Sequence, residues 1–328
     1  MLELILFAVG LFILIKGADY MVDGASSVAI RFKISPIVIG LTIVAFGTSA
    51  PELLVSVISA LKGSTDIALS NVVGSNILNI LLILGLCAVI YPLKVARNTT
   101  YKEIPFSFLG AVLLVVFGLG IFINTGVFNT NIIYLNEVVG VINRSGGIML
   151  LSFFIIFLYY TFGISKVTGE NDTDIAKASF KKSIIMIFGG LVALAFGSQI
   201  AIDNAIIIAT KLNVSDTLIG LTLVSLGTSL PELVTSVAAV RKKNVDIAVG
   251  NIVGSNIFNI FFVLGLTSIL KEIPIRGVQI VDLVMLLAAS LILFGSIFVW
   301  KRHRIGRVEG IIMLLFYLGY VVFIVYRG

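Results

Sequence analysis

The sequence predicts an all-α integral membrane protein: ten transmembrane helices in two inverted-topology five-helix repeats. Three observations carry that prediction. Hydrophobic residues make up 59% of the 328 residues and charged residues 12%, and the mean hydropathy of +1.14 lies far outside the range of a water-soluble domain. Short polar punctuation divides the apolar chain into runs of membrane-spanning length. Finally, GTSAPEL at Gly47 to Leu53 returns 180 residues later as GTSLPEL at Gly227 to Leu233, and NVVGSNILNI at Asn71 to Ile80 returns as NIVGSNIFNI at Asn251 to Ile260.

Taken in order, the predicted spans are 2–22, 36–61, 68–91, 103–124, 146–164, 182–209, 216–240, 247–270, 279–300 and 308–326. The first run, Leu2 to Ile15, has the length of a signal peptide but no basic leader and no small-residue cleavage pattern. Its glycines and acid, Gly10, Gly17 and Asp23, match Gly190, Gly197 and Asp203, which marks it as a permanent helix and the start of the repeat. The organisation expected is therefore a first repeat over 1–165, a charged cytoplasmic linker over 166–181 and a second repeat over 182–328. Residues 124–143 lengthen one loop of the first half and read as either a short surface helix or plain loop. A single cysteine, Cys87, excludes an intrachain disulfide.

Five spans per half is an odd number, so the second half must enter the membrane from the opposite side. Two such units pair about a pseudo-two-fold axis in the membrane plane, which brings Glu52 and Glu232 together at mid-depth. Basic residues crowd the odd-numbered loops, with Arg31 and Lys33, Lys94, Arg97 and Lys102, and Arg241 to Lys243 among them. That bias predicts a multi-pass protein of the cell membrane with both termini extracellular. It also assigns the net charge of +6 to a face beside anionic membrane lipid, with no nucleic-acid partner.

The polar residues inside the spans carry the chemistry. Thr48 and Glu52 share a helix face, with Ser49 one step round. Pro51 cannot donate to the carbonyl of Gly47, so the helix should bend and free an oxygen beside the carboxylate. Thr228, Ser229, Pro231 and Glu232 repeat this arrangement with the carbonyl of Gly227. In the third and eighth spans Ser75 with Asn79, and Ser255 with Asn259, form matching polar stripes that Asn71 and Asn251 extend by one turn, while Asn76 and Asn256 point away and read as cross-links between helices. Hard cations want carboxylate, hydroxyl, amide and backbone oxygens of this kind. An acid at the centre of a membrane helix costs roughly 2.5–3.5 kcal/mol to insert, against about 1 kcal/mol from an interhelical hydrogen bond. Structural glue is thus a poor reason for two glutamates. No lysine, arginine or histidine lies within the four motif spans except at their ends, so the partner is expected to be an external cation or a proton. Asp23 and Asp203 read as helix-end or vestibule residues, and Asp282 as a helix-end acid that no acid in the fourth span matches.

With GTSAPELLVS and SNVVGSNILN in one half, and GTSLPELVTS and GNIVGSNIFN in the other, the chain resembles the calcium/cation antiporter family, and within it archaeal and bacterial sodium/calcium exchangers. The resemblance implies sodium/calcium antiport by alternating access. Its implied ligands are Thr48, Ser49, Glu52, Ser75 and Asn79 together with Thr228, Ser229, Glu232, Ser255 and Asn259, joined by backbone oxygens near Ala45 and Ser225. It also implies that the first and sixth helices slide across the core. Such exchangers often carry aspartate where this chain has Asn259. No cofactor or enzymatic activity is expected: calcium and sodium are cargo, and the sole histidine, His303, lies in a basic loop. A monomer is the expected unit. Proton/calcium exchange and a cation channel are the competing readings.

Overall fold

The computed structural model describes residues 2–97, 99–125, 137–164, 178–212, 225–298 and 303–327. The helices, in chain order, are α1 (Leu2–Phe32), α2 (Pro36–Thr48), α3 (Ala50–Leu61), α4 (Thr65–Ile90), α5 (Thr99–Gly118), α6 (Gly120–Thr125), α7 (Arg144–Ile164), α8 (Phe180–Lys211), α9 (Ser225–Thr228), α10 (Leu230–Arg241), α11 (Val245–Leu270), α12 (Ile280–Phe298) and α13 (Arg307–Arg327). Among the described residues eight helices are long and apolar enough to cross a membrane, and α2 with α3, bent by 44° between them, make a ninth. The first part of the predicted span 216–240 lies outside the described residues.

The bend falls where the sequence placed it. Ser49 leaves helical geometry at φ −85 and ψ 5, and Pro51 opens the next helix from its first turn. Ser229 does the same at φ −92 and ψ 4, ahead of Pro231. The turns that follow the two motif helices are also equivalent. Gly63 takes φ +88 in the first half, and Lys243 takes φ +59 at the matching position of the second. Glycine adopts that left-handed conformation freely, whereas a lysine there must be held by its surroundings.

The helices that carry the GSN motifs form the centre. Buried residues make up 94% of the most apolar window of α11 and 72% of that of α4, against 17% for α13 and 33% for α1. The outer helices instead expose apolar side chains such as Ile155, Phe188, Phe196 and Leu315, which is the distribution lipid requires and water would not tolerate.

α1 and α8 are longer than expected, at 31 and 32 residues. At 1.5 Å per residue each is about 46 Å long, well beyond a hydrocarbon core of about 30 Å. Asp23 and Asp203 therefore lie within helices and cap neither end. Asp23 pairs with Lys242, whose Nζ is 2.7 Å from Asp23 and 3.3 Å from Asp19. Asp203 accepts from Gln199 one turn back at 2.8 Å. The two long helices pack against each other backbone to backbone. A Cβ on Gly190 would stand 2.7 Å from the Gly17 carbonyl, and one on Gly197 would stand 2.9 Å from that of Gly10. Small residues permit this approach where lipid supplies no hydrophobic drive between helices.

Four short strands staple the two halves at the ends of the bundle. β1 (Leu93–Lys94) pairs antiparallel with β4 (Arg304–Ile305), and β2 (Val138–Ile142) with β3 (Ile273–Arg276). The insert at 124–143 thus contributes a strand, and its residues 126–136 lie outside the described residues. Asp282 begins α12 and receives Tyr320 at 3.0 Å and both terminal nitrogens of Arg327 at 3.1 Å. Contrary to the sequence reading, the fourth span of the first half does hold a comparable acid. Glu103, in the first turns of α5, accepts from Tyr160 on α7 at 3.2 Å. The different loop lengths before α5 and α12 obscured the match.

Candidate cation site

The two motifs meet at the centre of the molecule and interleave. Glu52 opens α3 and Glu232 opens α10, each in the first turn after the break, and both are fully buried. Glu52 Oε1 accepts from Ser75 at 3.4 Å and from Ser229 at 3.2 Å. Glu232 Oε1 accepts from Ser255 at 3.4 Å and from Ser49 at 3.0 Å. Each carboxylate is therefore held by one serine of its own half and one of the other.

Thr48 and Thr228 do not reach the acids of their own halves. Thr48 donates to Asn251 Oδ1 at 3.0 Å and Thr228 to Asn71 Oδ1 at 3.4 Å. Those two asparagines in turn brace the helix starts. Asn71 Nδ2 donates to the Glu52 carbonyl at 3.2 Å and to Ser56 at 3.1 Å, and Asn251 Nδ2 donates to the Glu232 carbonyl at 3.4 Å and to Ser236 at 3.0 Å. Sequence reading placed Asn71 and Asn251 merely on the polar stripe. The serines four residues after each glutamate were repeated as well, and that identity was the signal that could have found them.

Asn79 and Asn259 lie where α4 and α11 widen into π-helical turns, at Asn79–Leu84 and Phe258–Leu264. Such wide turns are uncommon and concentrate at functional positions. Asn79 Nδ2 donates to Asn256 Oδ1 at 3.0 Å, and Asn259 Nδ2 donates to Asn76 Oδ1 at 3.1 Å.

Among the two acids and these amides, four buried oxygens are left over. Glu52 Oε2, Glu232 Oε2, Asn79 Oδ1 and Asn259 Oδ1 have no hydrogen-bond partner. Leaving a buried polar atom unmatched costs about 1–3 kcal/mol, and more for a charged group. Four acceptors without a donor, two of them on acids, describe a place for a cation.

The backbone oxygens divide. The Gly227 carbonyl freed by Pro231 accepts from Ser198 of α8 at 2.8 Å, so it faces the neighbouring helix and not the carboxylate. Gly47 abuts Leu191, and Gly227 abuts Ile202, both on α8, with no room for a Cβ at either glycine. The Ala45 carbonyl already accepts from Ser49 N at 3.0 Å and lies 3.4 Å from Thr48 Oγ1, whose one proton has its shorter contact with Asn251. Ser225 begins α9.

Known proteins share this sequence and fold. The family described as sodium/calcium exchanger protein matches residues 2–163 and 182–326. The chain belongs to the sodium/calcium exchanger family. Among its relatives, the protein named "Putative antiporter CaxA" of Alkalimonas amylolytica is 38% identical over 95% of both chains. The sodium/calcium exchanger MaX1 of Methanosarcina acetivorans is 32% identical over 98% of both. In three dimensions the chain is similar to the sodium-calcium exchanger NCX_Mj soaked with 2.5 mM Na+ and 0.1 mM Ca2+, with a TM-score of 0.80, 33% identity and 98% of each chain covered.

Within this family fold, the polar centre of the chain is built from side chains on two helix starts, the middles of α4 and α11, and two wide turns. Among the described residues neither Glu52 nor Glu232 forms an ion pair with a basic side chain.

Proposed function

We propose that this chain is a secondary active antiporter that exchanges sodium for calcium by alternating access at a single site shared by both ions. The observation that carries the reading is the set of four unpartnered oxygens on Glu52, Glu232, Asn79 and Asn259. Two carboxylates and two amide carbonyls approach the six to eight oxygens, about 2.3–2.6 Å away, that calcium takes. Ser49, Ser75, Ser229 and Ser255 complete the ligand set, because a hydroxyl donating to a carboxylate still offers a lone pair to a metal. Thr48 and Thr228, with backbone oxygens near Ala45 and Ser225, border it. The names of the relatives, which include a sodium/calcium exchanger, support the same cargo.

Coupling follows from charge. With no cation, two carboxylates sit in a medium where an uncompensated charge is expensive, and occlusion of that state is disfavoured. Calcium neutralises both acids at once. Sodium ions compete for the same oxygens, so the site closes with one cargo or the other. α1 and α8, packed through glycines, supply a smooth pair that slides across the core and opens the site to alternate sides.

The unit that does this is a chain of ten membrane spans, with an inverted five-helix repeat over 1–165 and another over 182–328, joined by a cytoplasmic linker over 166–181. The basic residues of the odd-numbered loops support placing both termini outside the cell. It works as a monomer, since both halves of the ligand set come from one chain.

Purified protein in liposomes tests this. Calcium uptake should follow an imposed sodium gradient and persist when the proton gradient is collapsed. Uptake indifferent to sodium and driven by protons would overturn the assignment, as would single-channel currents.

A further inference from the structure

Asparagine is an ambiguous cation ligand. One end of its amide is an acceptor that attracts a metal, and the other is an NH2 group that repels it. The site needs Asn79 and Asn259 to present oxygen, and neither side chain can ensure that alone.

The structure supplies a chain of hydrogen bonds that decides the matter. Asn76 Nδ2 donates to the backbone carbonyl of Asn256 at 3.3 Å. A backbone carbonyl can only accept, so Asn76 must turn its nitrogen that way and its Oδ1 the other. Asn76 Oδ1 then accepts from Asn259 Nδ2 at 3.1 Å, and Asn259 Oδ1 is left unpartnered among the ligands. In the other direction Asn256 Oδ1 accepts from Asn79 Nδ2 at 3.0 Å and leaves Asn79 Oδ1 unpartnered. All four asparagines are buried, at 1% exposure or less, so bulk water does not compete for these partners in this conformation.

Resting on the cation-site reading above, we propose that Asn76 and Asn256 are positioning residues: each locks the ligand amide of the opposite half so that its oxygen, and not its nitrogen, faces the cation. The lock crosses between the halves. Asn76 acts on Asn259, although Asn79 lies one turn along its own helix, and Asn256 acts on Asn79. The two locks are unequal, because Asn76 is anchored to a backbone carbonyl whereas Asn256 Nδ2 has no partner. Asn76 should therefore matter more.

A set of double mutants in the full-length protein, read by sodium-driven calcium uptake in liposomes and by direct calcium binding, separates positioning from general packing. Groups behind metal ligands are commonly worth about 10–100-fold in affinity. Asn76→Leu should raise the calcium KM and Kd at least tenfold, with kcat changed less than about threefold. In an Asn259→Ala background, Asn76→Leu should add less than about twofold. In an Asn79→Ala background its full effect should remain. Coupling of Asn76 to Asn79 instead of Asn259, or full effects in both backgrounds, overturns the proposal. Should Asn76→Leu fail to fold, Asn256→Leu serves in the same scheme, with Asn79→Ala as the background that silences it and Asn259→Ala as the one that does not. Wild-type protein that binds no calcium would overturn the cation site and this inference together. Wild-type binding that Asn259→Ala weakens, with Asn76→Leu additive to it, would overturn this inference alone.

Discussion

Ser49 Oγ lies 3.0 Å from Glu232 Oε1, so a hydroxyl from one copy of the GTSxPE motif binds the acid of the other. Ser229 does the same for Glu52 at 3.2 Å. Neither half therefore holds its acid alone. On the proposed function, this crossing ties cargo binding to the relation between the two halves, which is the relation that must change when access alternates.

Neutralising either acid should abolish transport while sparing the fold. In Glu52→Gln or Glu232→Gln the amide keeps the shape, and the unmatched buried charge disappears. Hydrogen bonds and contacts to a charged group are worth about 1.5–3 kcal/mol, so calcium affinity should fall by about 10–150-fold, and uptake with it. Thermal unfolding should show equal or greater stability in the absence of cations, since burying the charge was a cost. Normal uptake by either variant would contradict the assignment.

Calcium should stabilise the wild-type protein. A ligand that binds only the folded state adds about 2.7 kcal/mol at 100 times its dissociation constant. Melting curves in calcium against a chelator should show a clear rise, excess sodium should change the calcium concentration needed, and Glu232→Gln should remove most of the shift. A melting temperature indifferent to calcium would count against the site.

Asn259→Asp would add a third acid to the site. A carboxylate cannot donate to Asn76 Oδ1, now 3.1 Å from Asn259 Nδ2, and two acceptors would face each other. The cation-free variant should lose about 1–3 kcal/mol of stability and recover it when calcium is added. Chemical unfolding with and without calcium measures both terms.

At its glycines the seam between α1 and α8 has no room for a side chain. Gly190→Val would place a Cβ 2.7 Å from the Gly17 carbonyl, and overpacking of this kind costs about 1–3 kcal/mol. Exchange should fall sharply because the helices must part to fit it. Gly189→Ala, one residue away with open space around its Cα, should be neutral or add up to about 1 kcal/mol through helix propensity. Equal loss in both variants would show that the seam is not the cause.

Much of the polar centre was legible in the sequence. The glutamates, serines and asparagines announced themselves as identical polar residues in otherwise drifting apolar spans, and Pro51 and Pro231 located the breaks at Ser49 and Ser229. The wide turns at Asn79 and Phe258 were not legible, since the same apolar letters suit an α-helix or a π-turn. The length of α1 was hidden too. Asp23 looks like a helix end until Lys242, more than two hundred residues away in sequence, is seen to neutralise it.

By itself, the sequence determined that this is a membrane protein of two related halves, with one acid repeated inside an apolar span of each, because hydropathy and repetition are properties of the chain alone. Tertiary structure decided how the halves share the work: Ser49 with Glu232, Ser198 on the Gly227 carbonyl, and Asn76 turning Asn259. Spacing along a helix fixes which face a side chain occupies. Its partner, and which atom of an amide points inward, depend on how neighbouring helices are rotated and how closely they pack.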